Sequence, residues 1–206
     1  MGGTGYGVPF PGSKGNRSIY LQSFRYANLA SWSTQDTVFI NEWGGGNEHN
    51  KNRRGLVAFG AVSDPAAVPA AGTASYAGVA YGKYAGNASD EPVSFVGTAT
   101  ATVNFTTREV VVTLTGTVTD DALRTPVPAG LRAVATMGAA GTNVANYLTG
   151  PAGNAGLSGG LSGRHFGPVP TSGSSGQGPA ELGGAFSLSN TTTGAVAIGG
   201  FIARKQ

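Results

Sequence analysis

Apolar residues along this chain recur mostly at every second position, in short runs separated by Gly, Pro, Asn and Asp. That period puts successive side chains on opposite faces of a strand. It predicts strands at Thr73–Lys83, Val93–Phe105, Glu109–Thr117, Leu131–Met137, Asn143–Leu148, Asn154–Ser162, Glu181–Leu188 and Ala195–Ala203. Eight strands suffice to close a small barrel whose interior is filled by side chains. The runs TATATVNF and VVVTLTGT, joined near Thr106–Glu109, predict a hairpin. The last two strands carry paired glycines, AELGGAFSL and AVAIGGFIARK, the mark of a bend or a close backbone approach. No stretch carries the 3.6-residue period of an amphipathic helix.

Ahead of these lie shorter candidates at Ser18–Tyr26, Thr37–Glu42 and Gly55–Ala61. The segment Gly44–Arg54 (GGGNEHNKNRR) is too rich in Gly and Asn for a helix and predicts a polar loop. Asp64–Gly72 (DPAAVPAAG) reads as a linker, Leu161–Pro168 (LSGRHFGP) as a Gly-rich turn, and Gly167–Pro179 as a long loop.

Composition sharpens the division. Charged residues make up 11% of the 206, against roughly 25% in ordinary soluble domains, and Gly contributes 35. The formal net charge of +3 sits wholly in residues 1–60, which hold six Lys and Arg against three acids. Both Trp and nine of the eighteen aromatics lie there as well. Trp, Tyr and Arg are enriched at binding surfaces, although a small subdomain also needs aromatics for its own core. The absence of Cys excludes disulfides and Cys-based zinc sites. The first residues show neither the basic nor the apolar part of a signal peptide, so the protein is either intracellular or a trimmed mature chain, and the sequence favours the second.

The segments GTASYAG, GTATATVNF, VVVTLTG, GLSGRHFGP, AELGGAFSL and GGFIARKQ resemble the β-barrel domain of the transferrin-binding protein B family. That family comprises bacterial surface lipoproteins and secreted relatives, including hemophilin-type haem-binding proteins exported through Slam-type translocons. The resemblance covers about residues 62–206. It implies an all-β protein: a small β-rich handle domain, residues 1–61, followed by an eight-stranded antiparallel β-barrel, residues 62–206. It also implies an extracellular or outer-membrane surface location. Gly167–Pro179 is longer than the family's usual connection, and the single barrel and missing lipid-accepting Cys favour a single-barrel relative over a full transferrin receptor.

The sequence offers little for catalysis. Its Gly-rich runs lack the following helix and Lys of a phosphate-cradling loop. Only two His are present, His49 and His165, and neither is paired with an acid and a nucleophile as a triad requires. The acidic doublets Asp90–Glu91 and Asp120–Asp121 read as turn formers rather than calcium ligands. The basic surplus is small for nucleic acid, and membrane adhesion would need a stronger cluster or an acyl chain.

With the resemblance in view, the chain reads as a non-catalytic protein that captures haem or an iron-carrying host protein and delivers it to an outer-membrane receptor. His49 is the candidate axial haem ligand. Lys51, Arg53 and Arg54 would meet the propionates, and Tyr20, Tyr26, Trp32 and Trp43 would flank the ring. The plain alternative for His49 is a solvated basic loop, and for His165 a turn or packing residue. An adhesin-like protein without a small ligand is the competing function.

Overall fold

The computed structural model describes residues 24–40, 47–119, 130–154, 156–170 and 177–206, with the side chains of 34–40, 47–53 and 116–119 outside the description. Among these described residues ten strands follow in chain order: β1 Ala27–Ile40, β2 Asn47–Gly60, β3 Thr73–Ala85, β4 Val93–Asn104, β5 Glu109–Thr119, β6 Leu131–Met137, β7 Tyr147–Gly153, β8 Ser158–Phe166, β9 Glu181–Ser189 and β10 Val196–Lys205. Strands β3 to β10 close into an eight-stranded antiparallel barrel, β10 pairing with β3, and β1 and β2 form a separate two-stranded ribbon. The all-β architecture expected from the sequence is therefore the one observed.

Alternation fills the barrel. On β4, Phe95, Ala99, Ala101 and Val103 are buried, while Thr98, Thr100 and Thr102 lie exposed between them. The outer Thr98 hydroxyl meets that of Thr115 on β5 at 3.0 Å. Val110, Val112, Leu114, Leu148, Leu161, Leu182, Phe186 and Phe201 complete the dry interior. The expected hairpin is present, with Val103 opposite Val110 and Asn104 opposite Glu109.

The paired glycines act on opposite faces of the wall. A Cβ at Gly199 would collide with the Phe186 ring, and one at Gly184 would press on Phe201 at 3.0 Å, so these two make room for aromatics inside. Gly200 and Gly183 face outward, where Leu29 and Ala58 of the ribbon rest. Gly199→Ala is expected to lower barrel stability by about 1–3 kcal/mol through overpacking, read from the thermal midpoint.

One barrel mouth is sealed by the chain that enters it. Residues 61–72 cross this end, with a 3-10 turn at Pro65–Ala67 capped by Asp64, and Val68 buried in the core. Arg108, at φ 63 in the β4–β5 turn, donates to the carbonyls of Pro69 (3.0 Å), Gly138 (2.9 and 2.6 Å) and Ala145 (2.6 Å). Ser63 Oγ donates to Gly167 O, and Asn146 Nδ2 to Ser63 O, both at 2.6 Å. The Tyr76 hydroxyl donates to Pro179 O at 2.9 Å.

Three readings need correction. Asn47–Arg54 is not a loop but the first half of β2, paired residue for residue with β1. The polar side chains hid this, because strand pairing is made by backbone and leaves no mark on the polarity of the sequence. Likewise Phe24–Tyr26 is a bend that precedes β1 rather than strand, while residues 18–23 lie outside the description. Leu161–Phe166, read as a turn, is the second half of β8, because its glycines sit where neighbouring backbone comes close: a Cβ at Gly163 would lie 2.6 Å from Gly183 O. The shift moves the two preceding strands as well, to Tyr147–Gly153 and Ser158–Phe166.

Candidate binding surface

The ribbon is held on the barrel by a buried carboxylate. Glu181 opens β9 and is 1% exposed. Its Oε1 accepts from Arg25 N at 2.7 Å, and its Oε2 accepts from Tyr26 N at 2.9 Å and Ala27 N at 2.6 Å. Successive N–H groups turned toward one anion give charge-assisted hydrogen bonds, stronger than neutral ones. Ala61 N donates to Tyr26 O and Gly167 N to Ala61 O, tying the end of β2 to the same spot.

Around this latch an apolar seam forms outside the barrel. Ala27, Phe166 and Ile202 are buried together, with Phe24, Tyr26, Leu29, Ala58 and Val79 packed against them. Gly167, at φ 77, lies under the Tyr26 ring, where a Cβ would clash. A two-stranded ribbon alone is marginal in water, so this seam and the Glu181 latch are what order it.

Among the described residues, the other face of the ribbon carries exposed apolar side chains. Trp32 is 48% exposed, Val57 44% and Phe59 49%. Register explains their grouping: Ala30 pairs with Val57, Asn28 with Phe59, and Trp32 with Gly55. Leu29 and Ala58, at the alternate positions, take the barrel side. The Trp32 indole lies across Gly55, whose missing side chain leaves it room. Exposed aromatic and β-branched side chains grouped on one face mark an interaction site more strongly than scattered ones.

The expected site residues divide accordingly. Trp32 lies on the open face, and Arg54 is exposed opposite Ser33. Tyr26 is half-buried in the seam, away from that face. The backbone sets His49 opposite Val38, Lys51 opposite Asp36 and Arg53 opposite Thr34, in β2 rather than in a loop. Tyr20 and Trp43 fall outside the described residues. Val57, Phe59 and Glu181 were not singled out from sequence.

His165 lies inside the barrel, fully buried on β8, with neither ring nitrogen hydrogen-bonded. The Tyr76 and Phe105 rings stand 6.0 and 6.1 Å from it. Burial, with a smaller contribution from the Arg108 charge, pushes its pKa down to about 3. It is a neutral packing residue. Among the described residues no three His, Asp or Glu side chains cluster as a metal site would require, and no helix is long and apolar enough to cross a membrane.

Together these features define a filled, closed antiparallel barrel carrying an external, latched ribbon. No protein-family model and no curated protein matches the chain. Solved structures share its fold. A double mutant of transferrin-binding protein B from Haemophilus parasuis Hp5 aligns at 16% identity and TM-score 0.55, covering 91% of this chain and 34% of that one. A mutant of the same vaccine antigen from Actinobacillus pleuropneumoniae H49 aligns at 15% identity and TM-score 0.50, covering 97% and 86%. Intact Ap-TbpB, with N and C lobes, aligns at 17% identity and TM-score 0.50, covering 92% and 40%. The chain spans about a third of the length of the Haemophilus structures it matches. Its fold is that of the transferrin-binding protein B barrels, as the sequence motifs indicated.

Proposed function

We propose that this is a non-catalytic bacterial surface or secreted protein that captures an iron-carrying host protein on its ribbon and passes it to an outer-membrane receptor. The observation that carries the reading is the open face formed by Trp32, Val57 and Phe59, held on a rigid barrel. The barrel interior is occupied by its own side chains, with Val103, Phe105, Val110 and Phe201 at 0% exposure, which favours recognition on the outside. A broad apolar face suits a protein surface, whereas small ligands favour concave sites. The barrels that share the fold are named for binding transferrin, and that supplies the ligand class of the proposal.

The test is titration of the full chain with iron-loaded and iron-free host transferrin, followed by calorimetry, with hemin titrated in parallel. Saturable binding of transferrin supports the proposal. A defined Soret band with hemin that is lost in His49→Ala would instead assign haem as the ligand, with His49 as its axial residue. No response to either would leave the adhesin-like function standing in its place. Where transferrin binds, Trp32→Ala is expected to weaken it by about 2 kcal/mol, roughly thirtyfold, as at an interface hot spot. The thermal midpoint of the barrel should stay unchanged.

A further inference from the structure

Two strands make a sheet with two open edges, and among the described residues no third strand pairs with either edge of the ribbon. The hydrogen-bond phase fixes which groups those edges present. Ala61 N donates to Tyr26 O, so residues 26 and 61 form a hydrogen-bonded pair, and the pairs alternate from there with no register shift. Asn28, Ala30 and Trp32 therefore bond to β2, while Ala27, Leu29, Ser31 and Ser33 turn their N–H and C=O groups away from it. Ala27 N confirms the phase, since it donates to Glu181 rather than to β2.

Native sheet edges are ordinarily blunted by charge, Pro or a bulge. The β1 run from Ala27 to Ser33, ANLASWS, has none of these. Beneath its edge lies an apolar floor. Leu29 rests on Gly200 of β10 and Ala58 on Gly183 of β9, which puts β1 on the β3 side of the ribbon. There Val79 packs into the seam, and Tyr81 and its partner Val96 are half-buried on the outer wall. The first charge further along β3 is Lys83, which donates to Ser94 Oγ at 2.5 Å. Trp32 borders the same edge on the outer face, 48% exposed. The edge is thus a row of backbone donors and acceptors set between an apolar floor and an apolar rim. That chemistry suits an extended, uncharged backbone and offers no counter-ion to a charged loop.

We infer that the outer edge of β1 is a strand-addition site, where an extended, uncharged segment of the captured protein pairs with Leu29, Ser31 and Ser33. The inference rests on the reading of the ribbon as the capture surface, and it names how that surface holds its partner. Main-chain hydrogen bonds supply the attachment, and apolar side chains at every second position of the added segment cover Val79 and Tyr81 below and extend the Trp32 face above. The ribbon becomes a three-stranded sheet, which is more stable than a two-stranded one.

The test titrates the full chain with iron-loaded transferrin by calorimetry and follows amide exchange in the free and bound chain. Ser31→Pro removes an outward N–H without removing a β1–β2 bond, and it should weaken binding by about tenfold or more. Slow exchange at Ala30 and Trp32 in the free variant would show that its ribbon is intact. Tyr81→Lys leaves every ribbon bond in place and should weaken binding by about fivefold or more, since an ammonium would be covered by apolar side chains. In the native complex the Leu29, Ser31 and Ser33 amides should slow. Equal binding of transferrin by the native chain and both variants, or unchanged exchange at those three amides, would overturn the strand-addition site and leave the capture reading in place. Failure of the native chain to bind transferrin would overturn that reading and this inference with it.

Discussion

Glu181→Ala is expected to undock the ribbon while leaving the barrel closed. Three backbone N–H groups, those of Arg25, Tyr26 and Ala27, lose their acceptor at once, and that of Ala27 is buried. Hydrogen bonds to a charged group each contribute about 1.5–3 kcal/mol, and an abandoned buried donor costs a comparable amount. The ribbon relaxes toward water when released, so the three do not add fully. A loss of about 3–5 kcal/mol in docking free energy follows, enough to raise the undocked fraction by roughly two to nearly four orders of magnitude. Glu181→Gln keeps one acceptor oxygen and should lose roughly half as much. Hydrogen exchange would read this as lost protection in residues 27–33 and 54–60, with β3 to β10 unaffected. Unchanged protection in the ribbon would mean that the apolar seam alone suffices.

The second large effect is on acid stability. His165 titrates near 3 in the folded chain, because burial and then the Arg108 charge oppose its protonation, whereas an exposed imidazole titrates near 6.5. Below pH 6.5 the unfolded chain therefore binds a proton that the folded chain refuses. Stability is complete above 6.5 and falls as the pH drops toward 3, by up to about 1.4 kcal/mol per unit. Tyr76 and Phe105 face the ring and stay uncharged over this range, so the charge that adds to burial is that of Arg108. His165→Leu removes two buried nitrogens without partners and should flatten this acid limb. It should also raise stability at neutral pH by about 1–2 kcal/mol. Denaturant midpoints between pH 4 and 7.5 would show it, and parallel acid limbs for the two proteins would contradict it.

The barrel was legible because its strands have one dry and one wet face. In TATATVNF the small and polar residues alternate strictly, and so do their buried and exposed positions. The ribbon was not, since ANLASWSTQD and NEHNKNRR have no sustained apolar alternation, and backbone pairing leaves no mark on side-chain polarity. In GLVAFGA both faces carry apolar residues, so the sequence does not tell that Leu56 and Ala58 turn inward while Val57 and Phe59 stay bare. Glu181 had a signal that went unread: a lone acid leading an otherwise uncharged strand, AELGGAFSL. A charge in such a place needs a buried partner, and here the partner is backbone that sequence does not display. His165 was correctly read as a packing alternative, but the glycines and Pro around it gave the wrong element.

The measurement that bears most directly on the proposed binding face is hydrogen exchange of the full chain with and without iron-loaded transferrin, the proposed partner. New protection at Ala30–Trp32 and Gly55–Phe59, with the barrel interior already slow in both states, is the result expected. Protection confined to the barrel's strands or to the mouth sealed by Arg108, with the ribbon exchanging as before, would contradict it.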